Sequence, residues 1–297
     1  LVMVGVNAWA DGITPVLDVC FRASSDNTKW ESGYPKVAST TNNQFECNAP
    51  KGLFVLQKYT VTDLAKVSKL TLRLLNYDTS NADALCVWAV SNSTLSTTWT
   101  QETEVSTIVN AYTTTVGVAP NATSGTLNTT QLIDGATSKT DGNTFEITGT
   151  ALSALKTAAN GNTFTLLLTN KKEKMFTSNG DSRKFYSSGD ATNPLKLIVE
   201  EYPVAIGSTY YESLSAAITA ASDNNVITVY TNQELAATDI TKAITIKPAA
   251  DGIVITRASG VSTSTQWLKL GAALTIGDAE HRLVLDGGNA SASTDMI

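Results

Sequence analysis

Apolar residues in this chain come in short runs that almost always end at Asn, Asp, Gly, Ser or Thr. That rhythm constrains the fold more than any other feature. The runs include Val16–Phe21, Leu53–Tyr59, Leu70–Leu75, Ala84–Val90, Thr144–Ile147, Thr163–Leu168 and Leu195–Val199. Within them, Leu70, Leu72 and Leu74 alternate with Thr71, Arg73 and Leu75, the period-two pattern of a strand with one buried face. Asp141-Gly142-Asn143, Asn160-Gly161-Asn162 and Ser178-Asn179-Gly180-Asp181 supply turns between runs. Many short strands joined by polar turns predict a two-sheet antiparallel sandwich, with one short helix at Ala151–Ala158. No run nears the roughly 20 apolar residues of a membrane-spanning helix, so no span is expected within these residues.

The pattern changes at Glu200–Pro203. Thr209-Tyr210-Tyr211-Glu212 has the form of a capping box, and Leu214, Ala217, Ile218 and Ala221 follow at helical spacing. Asn224 and Asn225 stop that helix. Short β-rich runs come next: Val226–Tyr230, Ala243–Ile246, Ile253–Thr256, Trp267–Leu270, Leu274–Ile276 and Leu283–Leu285. Successive short strands separated by polar corners suit a parallel solenoid whose open end is covered by an amphipathic helix.

Charge and cysteine use narrow the function classes. The net charge of −6 argues against a nucleic-acid partner, which would call for a basic face. Cys20, Cys47 and Cys86 form no CxxC pair, and His281 is the single histidine, so a zinc site is not expected. Cys20 and Cys86 lie in apolar runs and read as buried thiols; a Cys20–Cys47 bridge is the alternative. Residues 1–10 place an apolar stretch before Ala8-Trp9-Ala10, which reads as the tail of a secretory signal with a mature start at Asp11, or else as a first edge strand. The polar ending NASASTDMI reads as the end of a fragment.

Several of these pieces together resemble a known family. Leu17-Asp18-Val19-Cys20-Phe21-Arg22, the Gly52–Tyr59 strand, Asp63-Leu64, Val67–Leu74, Cys86–Val90 before Thr98-Trp99-Thr100-Gln101-Glu102, Phe185–Ser188 and Asn193–Leu197 resemble the jelly-roll carbohydrate-binding modules of the DNRLRE type. Cys20-Phe21 and Lys51 depart from that pattern. Tyr211–Ile218, Val226–Val229 and Leu283–Gly288 resemble the cap and first coils of a pectate-lyase-like right-handed β-helix. The resemblance implies an all-β chain: an antiparallel jelly-roll β-sandwich over 11–202, then over 203–297 the start of a right-handed parallel β-helix with a capping helix. It implies a secreted or cell-surface protein whose sandwich binds polysaccharide without catalysis and carries the attached β-helix to its target. Alternatives are the accessory part of a β-helix polysaccharide lyase or glycosidase, and a surface adhesin or stalk.

Sugar recognition needs an aromatic face for pyranose C–H groups and convergent polar groups. Trp30 and Tyr34 stand in the polar loop SSDNTKWESGYPK and are candidates for that face, or for capping one end of the sandwich. Lys171, Lys172, Lys174, Arg183 and Lys184 would form a basic rim suited to the carboxylates of an acidic polysaccharide. Trp88 and Trp99 are expected in the core. A structural Ca²⁺ is a candidate cofactor of such modules, with Asp26, Asn27 and Asp78 as available oxygens but no EF-hand spacing. Asp278, Glu280, His281 and Asp286 are titratable groups near the last coils, yet nothing in their spacing makes a catalytic pair, and no catalytic residue is assigned.

Overall fold

A computed structural model describes residues 12–76, 85–91, 95, 98–136, 143–170, 175–176, 182–259, 261 and 266–287. The chain divides into two compact units between Glu200 and Glu201. Both are mainly β-structure in several sheets, none of which closes on itself among the described residues.

In the first unit the strands are β1 (Leu17–Arg22), β2 (Lys36–Val37), β3 (Gln44–Cys47), β4 (Leu53–Thr60), β5 (Val67–Leu74), β6 (Leu85–Val90), β7 (Ile133–Ala136), β8 (Asn143–Ile147), β9 (Thr163–Asn170), β10 (Arg183–Tyr186) and β11 (Lys196–Glu201). Helix α1 (Val105–Val116) follows β6, and α2 (Gly149–Ala158) follows β8. An antiparallel six-stranded sheet runs β2-β1-β4-β9-β6-β7, beside a β11-β5-β8 sheet and a β10-β3 ribbon.

The six-stranded sheet is buried on both faces, which is why β4, β6 and β9 read as nearly continuous apolar runs. Cys20, Val55, Tyr59, Val87, Leu166 and Leu168 share a core with Leu70, Leu72 and Leu74 of β5, Phe145 of β8, Phe45 of β3 and Phe185 of β10. On the other face, Val19, Phe21, Phe54, Leu56, Trp88 and Leu167 pack with Trp99 and with Ile108, Ala111, Tyr112 and Val116 of α1. Trp88 and Trp99 are core residues, as expected. A sandwich alone does not predict α1. Its sequence, VSTIVNAYTTTV, is rich in β-branched residues that favour strands. Burial of one face against the sheet overrides that preference. Gly117 then ends the helix at φ 99°, its N–H donating to the Thr113 carbonyl at 2.8 Å; a β-carbon there would lie 2.6 Å from the Thr126 carbonyl oxygen.

In the second unit, β12 (Val204–Ile206) and β13 (Thr209–Tyr211) make a hairpin, followed by α3 (Leu214–Ala220). Then come β14 (Asn225–Val229), β15 (Gln233–Leu235), β16 (Thr238–Ile240), β17 (Ile244–Pro248), β18 (Ile253–Arg257), β19 (Leu268–Leu270), β20 (Leu274–Ile276) and β21 (Leu283–Asp286). The expected capping box is not there: Thr209 is the first residue of a strand, and the helix is capped by Ser213, whose Oγ accepts Ala216 N–H at 3.1 Å. A hairpin to β12 satisfies the backbone of Thr209–Tyr211, so the helix starts later.

Five parallel pairings set the register. Asn225 lies opposite Ile244 and Gln233 opposite Ile255, offsets of 19 and 22 residues (244 − 225, 255 − 233). On the next return Thr238 lies opposite Leu268, Ile244 opposite Leu274 and Ile253 opposite Leu283, an offset of 30 residues each (268 − 238, 274 − 244, 283 − 253). The chain therefore returns to the same three sheets once per turn. Corner side chains tie successive turns: Asp223, Asn232 and Asp251 accept the N–H groups of Ala243, Val254 and Arg282 at 2.8, 2.9 and 2.8 Å. Ile227, Val229, Leu235, Ile240, Ile244, Ile246, Ile253, Ile255 and Trp267 fill the interior, with Leu214, Ala217 and Ile218 of α3 packed on it.

Candidate functional site

The loop between β1 and β2 is held by its own polar side chains. Ser24 Oγ donates to Asp26 Oδ1 at 2.6 Å, and that oxygen also accepts Thr28 N–H at 3.2 Å. These donors pull the Asp26 carboxyl down to about 2. Asn121 donates to the Ala23 and Ser24 carbonyls at 3.3 and 2.9 Å, and Asn27 donates to the Pro120 carbonyl at 3.0 Å. The loop thus keeps one shape before any ligand arrives, which lowers the ordering cost of binding.

Tyr34 closes this loop. Its ring is half-buried against the core between the sheets, with Lys36 Nζ 4.9 Å above the ring centroid. Burial pushes its phenol up to about 12, and Arg22 and Glu46 also act on it. The register explains this company. Lys36 lies opposite Cys20, and Arg22 is two residues further along the same face of β1. Glu46 of β3 lies opposite Lys184 of β10. Tyr34, Arg22, Lys36 and Glu46 are therefore neighbours, with Glu31 in the turn before Tyr34 and Lys184 cross-strand from Glu46. Three cations stand against two carboxylates in a chain of net charge −6. A ring face beside guanidinium and ammonium groups suits a sugar that carries carboxylates.

The other candidates go elsewhere. Trp30 is on the opposite face of the six-stranded sheet, its ring centroid 4.8 Å from Phe21 and 6.5 Å from Phe54. Trp30 and Tyr34 are neighbours in sequence but not one platform. Arg183 departs from the rim reading: alternation along β10 turns it inward, fully buried, with its guanidinium 5.6 Å from the Phe145 ring centroid, while Lys184 stays partly exposed. Burial draws the Arg183 guanidinium down to about 10. Lys171, Lys172 and Lys174 lie outside the described residues, as does Asp78. Of the other oxygens considered for Ca²⁺, Asp26 Oδ1 is engaged within the loop and Asn27 Oδ1 accepts Asn121 Nδ2 at 3.4 Å. Lys36 and Glu46 escaped the sequence reading because β2 and β3 are too short to announce themselves, and Arg22 was read only as the end of the opening strand.

The same face of β1 begins a buried polar chain at Asp18. Asp18 Oδ1 accepts Gln57 Nε2 at 3.0 Å, Asp18 Oδ2 accepts Ser188 N–H at 2.9 Å, and Tyr59 OH donates to Gln57 Oε1 at 3.0 Å. Burial raises the Asp18 carboxyl above its usual 3.8 despite these donors. A raised carboxyl favours the folded state most below the unfolded pKa, and that advantage is lost as pH rises through the folded one. Asp18→Asn removes the ionisation, and flipping the Gln57 amide keeps both bonds. The variant is expected to gain stability relative to wild type between pH 4 and pH 7.5; melting curves at both pH values check this, and a constant difference would contradict it.

Cys20, Cys47 and Cys86 are buried thiols rather than disulfide partners, so the Cys20–Cys47 bridge is not formed, and burial pushes Cys20 up to about 12. In the second unit the ligand atoms of Asp278, Glu280 and His281 lie within 4.8 Å of one another. Asp278 Oδ1 accepts the N–H groups of Glu280 and His281 at 2.9 and 2.8 Å, and its Oδ2 is 3.4 Å from Lys247 Nζ. Those contacts build a turn. Asp286 ends β21. Among the described residues no helix is long and apolar enough to cross a membrane. Searched against protein-family models and against curated proteins, the chain matches none.

Proposed function

We propose that the chain is a secreted, non-catalytic polysaccharide-binding protein whose first unit holds an acidic glycan at the Tyr34 patch and carries the second unit to it. In this reading the first unit is a jelly-roll sandwich. The second is the opening of a right-handed β-helix with α3 as its cap; the repeated parallel return of the chain to the same sheets supports that architecture, and parallel crossovers are right-handed almost without exception. The observation that carries the function is the patch itself: a half-buried tyrosine ring on a fixed loop beside Arg22 and Lys36, with Lys184 cross-strand from its neighbour Glu46. Binding of this kind works by raising local concentration, so no catalytic group is needed in the first unit.

Native affinity electrophoresis of the full chain tests it. Retardation in gels containing alginate or pectin is expected, and Tyr34→Ala combined with Lys184→Ala should weaken it by about tenfold or more, the loss of one stacking contact and one charge-assisted hydrogen bond. Wild-type mobility unaffected by either polymer would remove the proposal.

A further inference from the structure

We propose that Asn160 is a site of spontaneous covalent modification, and that its conversion to isoaspartate releases a clamp that the Gly161–Asn162 turn places on the β4–β5 connection. This inference is independent of the Tyr34 patch. Asn160-Gly161-Asn162 lies between α2 and β9. Asn160 N–H donates to the Thr163 carbonyl at 2.9 Å and Thr163 N–H to the Asn160 carbonyl at 3.2 Å, which closes a two-residue turn. Gly161 takes the first central position at φ 59°, a conformation that glycine adopts without strain. Asn162 binds the neighbouring connection. Its Nδ2 donates to the Thr62 carbonyl at 2.8 Å, its Oδ1 accepts Leu64 N–H at 3.0 Å, and its carbonyl accepts Val61 N–H at 3.0 Å. One turn residue thus holds residues 61–64 between β4 and β5.

Asn160 itself is open to chemistry. It and Gly161 are exposed, and among the described residues neither the Asn160 side chain nor the Gly161 N–H has a hydrogen-bond partner. A β-carbon built at Gly161 meets no atom within 4 Å, so water and base reach its nitrogen. The 3.2 Å bond at this exposed end opens at little cost and frees the backbone for ring closure. The Gly161 nitrogen, losing its proton to base, then attacks Asn160 Cγ. A C–N bond forms, the Cγ–Nδ2 bond breaks, and ammonia leaves with a proton from water, giving a succinimide. Water opens the ring at either carbonyl. Cleavage at Cγ gives aspartate; cleavage at the main-chain carbonyl gives isoaspartate, whose backbone runs through the side chain and is one carbon longer. That extra carbon displaces the Asn160–Thr163 pair, and Asn162 moves with it. Glycine favours the closure because it has no β-carbon to hinder the approach. Other asparagines are protected: Asn121 Nδ2 donates to the Ala23 and Ser24 carbonyls and Asn128 Nδ2 to the Thr114 and Thr115 carbonyls, and neither is followed by glycine. The other Asn-Gly pair, Asn179-Gly180, lies outside the described residues.

The test holds the full chain for days at neutral and at mildly alkaline pH, then digests it and maps its asparagines by mass spectrometry. The Asn160 peptide is expected to gain about 1 Da, the difference between an amide and an acid, and to elute as two isomers. Conversion should be greater at the higher pH, because the attacking nitrogen must lose its proton. Peptides holding Asn121 and Asn128 should stay unchanged, and so should the Asn160→Gln peptide, whose longer side chain must close a larger ring. In converted protein, hydrogen exchange at the Val61 and Leu64 amides should quicken roughly tenfold, the release of one hydrogen bond at each. Asn160→Asp adds the charge but not the carbon and should keep the slow exchange. An Asn160 that stays intact in the folded chain while it converts in urea-unfolded protein would overturn the inference. So would conversion of Asn121 or Asn128 at the same rate, or converted protein whose Val61 and Leu64 amides exchange as in fresh protein.

Discussion

Phe54→Ala is expected to destabilise the first unit by about 3–5 kcal/mol, the usual cost of truncating a fully buried aromatic side chain. Phe54 is completely buried. Its ring lies 5.5 Å from Phe21, 4.8 Å from Tyr112 and 6.5 Å from Trp30, so it joins β1, β4, α1 and the β1–β2 loop through one cluster. The cavity would open between the sheet and α1, where a helix with weak intrinsic propensity depends on that packing. Denaturant unfolding followed by far-ultraviolet circular dichroism measures the loss. A cost under about 1 kcal/mol would mean that α1 contributes little to the core.

Trp267→Ala should cost the second unit a similar amount, about 3–5 kcal/mol. The side chain is 1% exposed, and its Nε1–H donates to the Leu235 carbonyl at 2.8 Å, between β15 and the turn that leads into β19. Truncation leaves both a void and an unpaired buried acceptor. The interior of the second unit is a cluster separate from those of the first. The variant should therefore lower the melting temperature of one transition and leave the other in place, which differential scanning calorimetry resolves. A single transition displaced as a whole would show that the units do not unfold separately.

Much of this architecture was legible in the chain. The runs at Leu53–Tyr59, Thr163–Leu168 and Ile253–Thr256 are strands, because alternating or continuous apolar residues bounded by turn formers have few other solutions. The Ala151–Ala158 helix lies within α2. Elements that depend on tertiary partners were not legible. Helix α1 is built from strand-favouring residues and exists because a sheet face needs a cover. Thr209–Tyr211 carries a helix-start signal that a hairpin partner overrides. The candidate site divides in the same way. Tyr34 and Lys184 were visible as residues, but their common neighbourhood depends on Glu46 and on the pairing of two short strands, β3 and β10. Arg183 was visible as a charge, yet strand alternation places it inside.

Titration calorimetry of the full chain with an oligouronate at low salt, comparing wild type with Tyr34→Ala and Trp30→Ala, tests the central reading most directly. Because the two aromatics lie on opposite faces of the sheet, the predicted result is binding that is lost or weakened roughly tenfold in Tyr34→Ala and kept in a folded Trp30→Ala protein. Binding that survives Tyr34→Ala unchanged, or is lost in Trp30→Ala alone, would contradict it.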